Sequence, residues 1–225
     1  MADFMSINAA EANHALAMDR MYRLQRHFYD ATRAYYLLGR DRLIDELAPP
    51  QNGSILEIGC GTGRNIIRAA KRFPAAKLFG LDISDVMLET AGHAIERNNC
   101  RARVTLAQAD ACHFDAARIF GQAQFDRVYF SYTLSMIPDW QAALHQGFKA
   151  LAPGGEMHVV DFGDCSGLPS LAKTALYTWL RQFHVTPRLK LADVTNQLAA
   201  ENSATFTFSR PYRGYAILAK LIKQK

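Results

Sequence analysis

At 225 residues and 49% hydrophobic content, the chain can bury a full core and reads as one domain over 1–225. No run approaches the roughly 20 apolar residues of a membrane-spanning helix, and Cys60, Cys100, Cys112 and Cys165 lack the CxxC spacing of a zinc site. The start MADFMSINAAEANH lacks the basic and apolar regions of a secretory signal, so free thiols in a reducing cytoplasm and no bound metal are expected. The net charge of +5 is concentrated: residues 166–225 hold nine Lys or Arg against two acids, and the rest of the chain is slightly acidic. A solvated face accounts for that asymmetry; so does attraction to anionic lipid at the inner face of a membrane, or to nucleic acid.

Taken in chain order, residues 20–47, RMYRLQRHFYDATRAYYLLGRDRLIDEL, read as a long helix within an N-terminal helical cap over 1–48. Tyr22, Tyr29 and Tyr36 recur every seven residues with Tyr35 beside the last, which gives an aromatic stripe with hydroxyl tips; core packing accounts for the same stripe. The remainder, 49–225, alternates. SILEIG, KLFGLD, RVTLAQ, FDRVYFS and GGEMHVVD read as strands, and NIIRAAKRF, DVMLETAGHAIER and WQAALHQGFKAL as helices between them. Ser84 is an N-cap candidate, and Pro153-Gly154-Gly155 marks a turn into the fifth strand. Leu168, Leu171, Ala172, Ala175, Leu176, Trp179, Leu180 and Phe183 fall at helical spacing, either packed on the core or lying at a lipid interface with a basic rim. TFTFSR and YRGYAILAKLIK close the chain as an antiparallel hairpin. The alternation predicts an α/β fold with a mainly parallel sheet and helices on both faces.

The chemistry centres on ILEIGCGTGRN. Gly59, Gly61 and Gly63 follow a strand and open a helix, as in a tight turn around a small ligand. The third glycine comes one residue too early for a dinucleotide fingerprint, and Arg64 stands in its place. Glu57 brings a carboxyl close to the loop, unfavourable beside a pyrophosphate but tolerable beside a ligand with ammonium and sulfonium charges. S-adenosylmethionine is such a ligand. Asp82, nineteen positions after Gly63, sits where an acid accepts from a ribose diol, and Asp110 where one accepts from an adenine amino group.

This ordered set over residues 53–161 resembles the class I S-adenosylmethionine-dependent methyltransferases. The resemblance implies a Rossmann-like, seven-stranded sheet whose last strand is reversed. It also implies a cofactor site on Glu57, Gly59, Gly61, Gly63, Asp82, Ile83, Met87, Asp110, Ala111 and Ser131, with Ile83 and Met87 as apolar neighbours of the base. The N/D-P-P-Y/F tetrapeptide of amino-modifying nucleic-acid enzymes is absent from FSYTLSMIPDW, and no RNA-binding module is appended, so no nucleic-acid partner is expected.

YDATRAYYLLGRDRLI together with FHVTPR, LSMIPDWQAAL and VVDFGD resembles the diacylglyceryl-homoserine N-methyltransferases of betaine-lipid synthesis over nearly the whole chain. That resemblance implies a lipid amine as acceptor, three methyl transfers, and a trimethylated product. The acceptor amine must lose a proton before attack, and Tyr29, Tyr132, Asp161 and His184 are the candidates near the reaction. Tyr29, Tyr35, Tyr36 and Tyr132 also suit a cation–π cage for the quaternary product, and Tyr22, Tyr35, Tyr36 and Arg40 are placed on the substrate side. Two other readings share the cofactor motifs: a methyltransferase for a quinone precursor or other metabolite, and a non-enzymatic protein that binds a nucleoside or anionic lipid.

Overall fold

The computed structural model describes residues 37–183 and 185–225. Seven strands form one sheet: β1 (Ser54–Ile58), β2 (Lys77–Asp82), β3 (Val104–Gln108), β4 (Phe125–Ser131), β5 (Leu151–Phe162), β6 (Thr205–Ser209) and β7 (Ala216–Ile222). Their order is β3-β2-β1-β4-β5-β7-β6, parallel through β5, with β7 antiparallel to both its neighbours. This is the expected Rossmann-like arrangement. All five residues of β1 are buried, as a central strand covered on both faces requires.

Alternation along the strands divides the core between the two faces of the sheet. Leu56, Ile58, Val128 and Phe130 share one cluster with Leu144 and Phe148 of α5 (Trp140–Lys149) and with Leu191 and Leu198 of α7 (Leu191–Glu201). Ile55, Leu78, Tyr129 and Val160 join the other, with Leu43 and Ile44 of α1 (Arg40–Glu46), Ile66 of α2 (Arg64–Arg72) and Ile95 of α3 (Asp85–Arg97). The i, i+4, i+8 spacing of Met87, Ala91 and Ile95 explains why α3 lies along the sheet on one buried face. Its N-terminus is capped as expected, since Ser84 Oγ accepts from the Met87 amide at 3.3 Å.

Several boundaries differ from the sequence reading. Of the helix expected over 20–47, the described residues are helical only from Arg40 to Glu46: Leu37–Gly39 is not helical, and α1 starts after Gly39, whose φ of 88° is left-handed. A short α4 (Ala116–Phe120), capped by Asp115, joins β3 to β4. β5 begins at Leu151, before the Pro-Gly-Gly turn, with a register shift opposite Phe125–Arg127 that absorbs the positive φ of Gly154. The second arm of the hairpin starts at Ala216, because Tyr212 and Arg213 adopt φ of 56° and 57° in the connecting turn.

Candidate active site

In this strand order the chain leaves β1 toward β2 on one side and returns to β4 on the other, so a crevice opens beyond the carboxyl ends of β1 and β4. The glycine loop fills its floor. The Gly59 and Cys60 amides both donate to Leu81 O, at 2.8 and 2.9 Å, which fastens the loop to the end of β2. Asp82 completes the attachment: its carboxylate accepts from the Gly61 amide at 2.8 Å and from the Ser84 amide at 3.0 Å. The predicted ribose-binding acid therefore also shapes the turn that the ligand would meet.

The three glycines have positive φ, and each has a different neighbourhood. A Cβ on Gly59 would lie 2.2 Å from Thr133 Cγ2, and one on Gly63 would lie 3.0 Å from Ala91 Cβ, where α2 starts against α3. A Cβ on Gly61 would meet nothing within 4 Å. Gly59 and Gly63 thus allow close packing, while Gly61 presents its backbone to open space. The adjoining cavity of about 340 Å³ is lined by Arg40, Glu57, Gly59, Gly61, Asn65 and Ser131 among others.

Glu57 is 1% exposed beneath the loop, with Asn65 Nδ2 donating to one oxygen at 2.9 Å and Tyr129 OH donating to the other at 2.8 Å. Burial dominates over these bonds and pushes its pKa up to about 8. Burial therefore favours the neutral carboxyl of Glu57, against the two hydrogen bonds that favour the carboxylate. Burial likewise raises the Cys60 thiol, which makes it a packing group rather than a nucleophile.

The other candidates fall as follows. Asp110 accepts from the Cys112 amide at 2.8 Å, Ala111 is buried behind it, and Ile83 is half-buried after β2. Met87 is buried in the first turn of α3. Arg40 is also buried, with its Nε donating to Leu37 O. Tyr132, at φ 57° just past β4, donates its hydroxyl to Leu38 O and packs edge-on against Phe162; burial holds its pKa far above neutrality. Asp161 is fully buried and accepts from the Ser135 and Phe162 amides at 3.0 and 2.8 Å, with its pKa raised to about 6 by desolvation. Tyr132 and Asp161 are thus each engaged by backbone partners, Tyr132 as donor to Leu38 O and Asp161 as acceptor from the Ser135 and Phe162 amides. Tyr22, Tyr29, Tyr35, Tyr36 and His184 lie outside the described residues.

Sequence reasoning missed Asn65, Tyr129 and Thr133, which fix Glu57 and Gly59. Of the three, Asn65 carried a local signal, since it faces back from the first turn of the helix that the loop opens.

Residues 55–155 match the model of the family described as methyltransferase domain. That stretch, a little under half of the chain, is similar to methyltransferase domains. Over 148 residues the chain is 30% identical to a ubiquinone/menaquinone biosynthesis C-methyltransferase of Dinoroseobacter shibae, covering 66% of this chain and 56% of the relative. It is 32% identical over 118 residues to a trans-aconitate 2-methyltransferase of Variovorax paradoxus, covering 52% and 41%. The chain spans about half the length of the curated relatives it matches. Among solved structures, a Haemonchus contortus phosphoethanolamine N-methyltransferase, determined with phosphomonomethylethanolamine and S-adenosylhomocysteine, superposes with a TM-score of 0.64. It shares 20% identity and covers 83% of this chain and 52% of that one.

The match implies S-adenosylmethionine as methyl donor, and the residues of the matched stretch fit that group. The open face of Gly61 leaves room for a ligand against the backbone, and Asp82 offers an acid at the end of β2. Ser131 Oγ at the end of β4 is buried without a protein partner, a polar atom suited to a bound ligand. Among the described residues no cluster of His, Cys, Asp or Glu is arranged to hold a metal ion.

Proposed function

We propose that the protein is an S-adenosylmethionine-dependent N-methyltransferase acting on a lipid-borne amino group, with a diacylglyceryl-homoserine as acceptor and a trimethylated betaine as product. The observation that carries the acceptor side is where the segments resembling that lipid-modifying family dock. LLGRDRLI reaches the loop after β4 through Leu38 O, which accepts from Tyr132 OH. VTPR reaches the same loop from the other side: the Thr186 amide donates to Ser135 O at 2.9 Å, and Arg188 donates to Leu134 O at 3.0 Å and Ile137 O at 2.6 Å. Both segments thus brace the wall next to Gly59, where an acceptor would face the cofactor cavity.

When bound, the cofactor supplies a methyl group on a sulfonium, whose leaving group is already good, so the protein's share is alignment and exclusion of water. The loop held by Asp82 would position the donor, and the braced loop after β4 would position the amine. With Tyr132 and Asp161 engaged by backbone, the amine's proton is assigned to solvent at the mouth of the cavity, and the cage role to the tyrosines of the N-terminal stretch.

A second reading, a small-metabolite acceptor, is favoured by what the quinone and trans-aconitate relatives are named for. Incubating the protein with methyl-labelled S-adenosylmethionine, lipid extract and a soluble metabolite extract separates the two. Label in a lipid whose mass rises by one to three methyl groups is expected. Label confined to the soluble fraction would replace the lipid reading, and cofactor binding without any transfer would leave a binding protein.

A further inference from the structure

Among the described residues the large apolar side chains that reach solvent are few: Leu38, Leu171, Leu189 and Tyr212, with Leu171 85% exposed. Leu38 and Tyr212 lie at neighbouring positions beyond the carboxyl ends of the strands, and Leu171 stands on the helix whose entering loop is bonded to the same turn. A Cβ on Gly39, next to Leu38, would lie 3.5 Å from Tyr212 Cε2. The turn containing Tyr212 is joined to the loop entering α6 (Ser170–Gln182), because the Cys165 amide donates to Gly214 O at 2.8 Å and the Gly167 amide to Arg213 O at 3.0 Å. α6 itself buries only Leu180; its first two turns, bearing Leu171, Ala172 and Ala175, stand in solvent.

The charge around α6 and the Tyr212 turn is mostly of one sign, and the acids of α1 that follow Leu38, Asp41, Asp45 and Glu46, are ion-paired with arginines. Residues 163–190 and 210–215 hold six Lys or Arg and a single acid, Asp164, a balance equal to the +5 of the entire chain. Asp164 is ion-paired with Arg210 at 3.2 Å. Arg181, Lys190 and Arg213 are exposed, Lys173 leans over the Tyr177 ring, and Arg188 is turned inward to backbone carbonyls. An apolar tip in a cationic rim is the pattern that partitions into the headgroup region of an anionic bilayer, and a purely solvated basic face has no use for Leu171. A nucleic-acid partner would leave that leucine equally unexplained.

We infer that the first turns of α6, together with Tyr212 and Leu38, form a docking surface for anionic membrane. It would set the mouth of the cofactor cavity against the bilayer, with Leu171 inserted and Arg181, Lys190 and Arg213 at headgroup level. This deepens the proposed lipid acceptor and rests on it for its purpose, but its test does not use that acceptor.

The full chain is sedimented with vesicles of phosphatidylcholine alone and of phosphatidylcholine mixed with phosphatidylglycerol. Binding is expected only to the mixed vesicles and should fall steeply between 0.1 M and 1 M salt, as the Debye length shrinks from roughly 10 Å to 3 Å. Leu171→Glu, at a site with almost no packing to lose, should weaken vesicle binding by about tenfold or more, the factor for one buried leucine side chain, with the melting temperature and calorimetric affinity for S-adenosylhomocysteine unchanged. Arg181→Glu combined with Lys190→Glu should weaken it as well and reduce its salt dependence. Binding that ignores lipid charge, or is unaffected by Leu171→Glu, overturns the inference. So does a fall in melting temperature in Leu171→Glu without loss of vesicle binding, which would show this face covered by other parts of the chain. Vesicle binding in a protein that methylates only soluble acceptors would overturn the proposed function and leave the docking surface standing.

Discussion

Placing one methyl group on each of two loop glycines separates packing from ligand space. Gly59→Ala adds a Cβ at φ 74° and 2.2 Å from Thr133 Cγ2; Gly61→Ala adds one at φ 52° with nothing within 4 Å. The left-handed backbone costs about 1–2 kcal/mol in either variant, and the clash adds about 1–3 kcal/mol in the first only. Denaturant titration should therefore give a loss of about 2–5 kcal/mol for Gly59→Ala and about 1–2 kcal/mol for Gly61→Ala. Thr133→Ala removes the clashing methyl along with a weak hydroxyl contact to Gly59 O at 3.3 Å. In the Gly59→Ala background it should recover about 1–3 kcal/mol, although alone it destabilises, and the double-mutant cycle should show that coupling. Calorimetry with S-adenosylhomocysteine should rank the variants the other way, with Gly61→Ala the weaker binder relative to its stability. Equal destabilisation by the two alanines, or no rescue by Thr133→Ala, would refute the assignment of Gly59 to packing and Gly61 to ligand space.

Asp82→Ala removes the acceptor of two backbone amides, so it should both lower stability by about 1–3 kcal/mol and weaken S-adenosylhomocysteine binding by about 10- to 100-fold; unchanged calorimetric affinity in a folded variant would sink the ribose-side role. Glu57 has its pKa raised in the folded state from 4.5 to about 8. The folded protein then holds more protons than the unfolded one, so stability falls as pH rises through that window, by on the order of a few kcal/mol. Glu57→Gln should flatten this slope in pH-dependent denaturation, and an unaltered slope would mean the carboxyl is ionised in place. For the cage, Tyr29→Phe should keep most of the yield of trimethylated product while Tyr29→Leu loses the later methylations first; mass analysis showing equal loss in both would assign the hydroxyl, not the ring.

The parts that were legible in the sequence are those encoded locally. Gly59, Gly61 and Gly63 behind a buried strand, Asp82 closing the next one, and Ser84 capping α3 each depend on neighbours within a few positions. Glu57 was visible as an acid near the loop, but the upward shift of its pKa was not, because it comes from burial beneath the loop and α2, opposed by the hydrogen bond from Tyr129, seventy-two positions away. Tyr132 and Asp161 have acid–base side chains at strand ends, and composition cannot tell that Leu38 O and the Ser135 amide engage them. The long helix failed at Gly39 for a related reason: its apolar periodicity continues across the glycine, whereas the left-handed turn is fixed by packing of Gly39 against Val160 and Leu218. For α6 the helical spacing was correct, yet periodicity alone cannot say whether an apolar stripe faces protein or solvent.

The strand order has a consequence for how the polypeptide emerges from the ribosome. β7 is made after β6 yet lies between β5 and β6, paired in register with β5 from Glu156↔Ile222 to Phe162↔Ala216 and with β6 from Thr205↔Ile222 to Ser209↔Leu218. Until residues 216–222 clear the exit tunnel, β5 presents a bare edge and β6 has no place in the sheet, so the nascent chain is held as an open five-stranded half with an adhesive flank. A stop codon or a rigid fusion placed before Ala216 would freeze it in that state. Its β5 edge, Met157 to Phe162, would then be the segment that chaperones shield and that aggregates nucleate on.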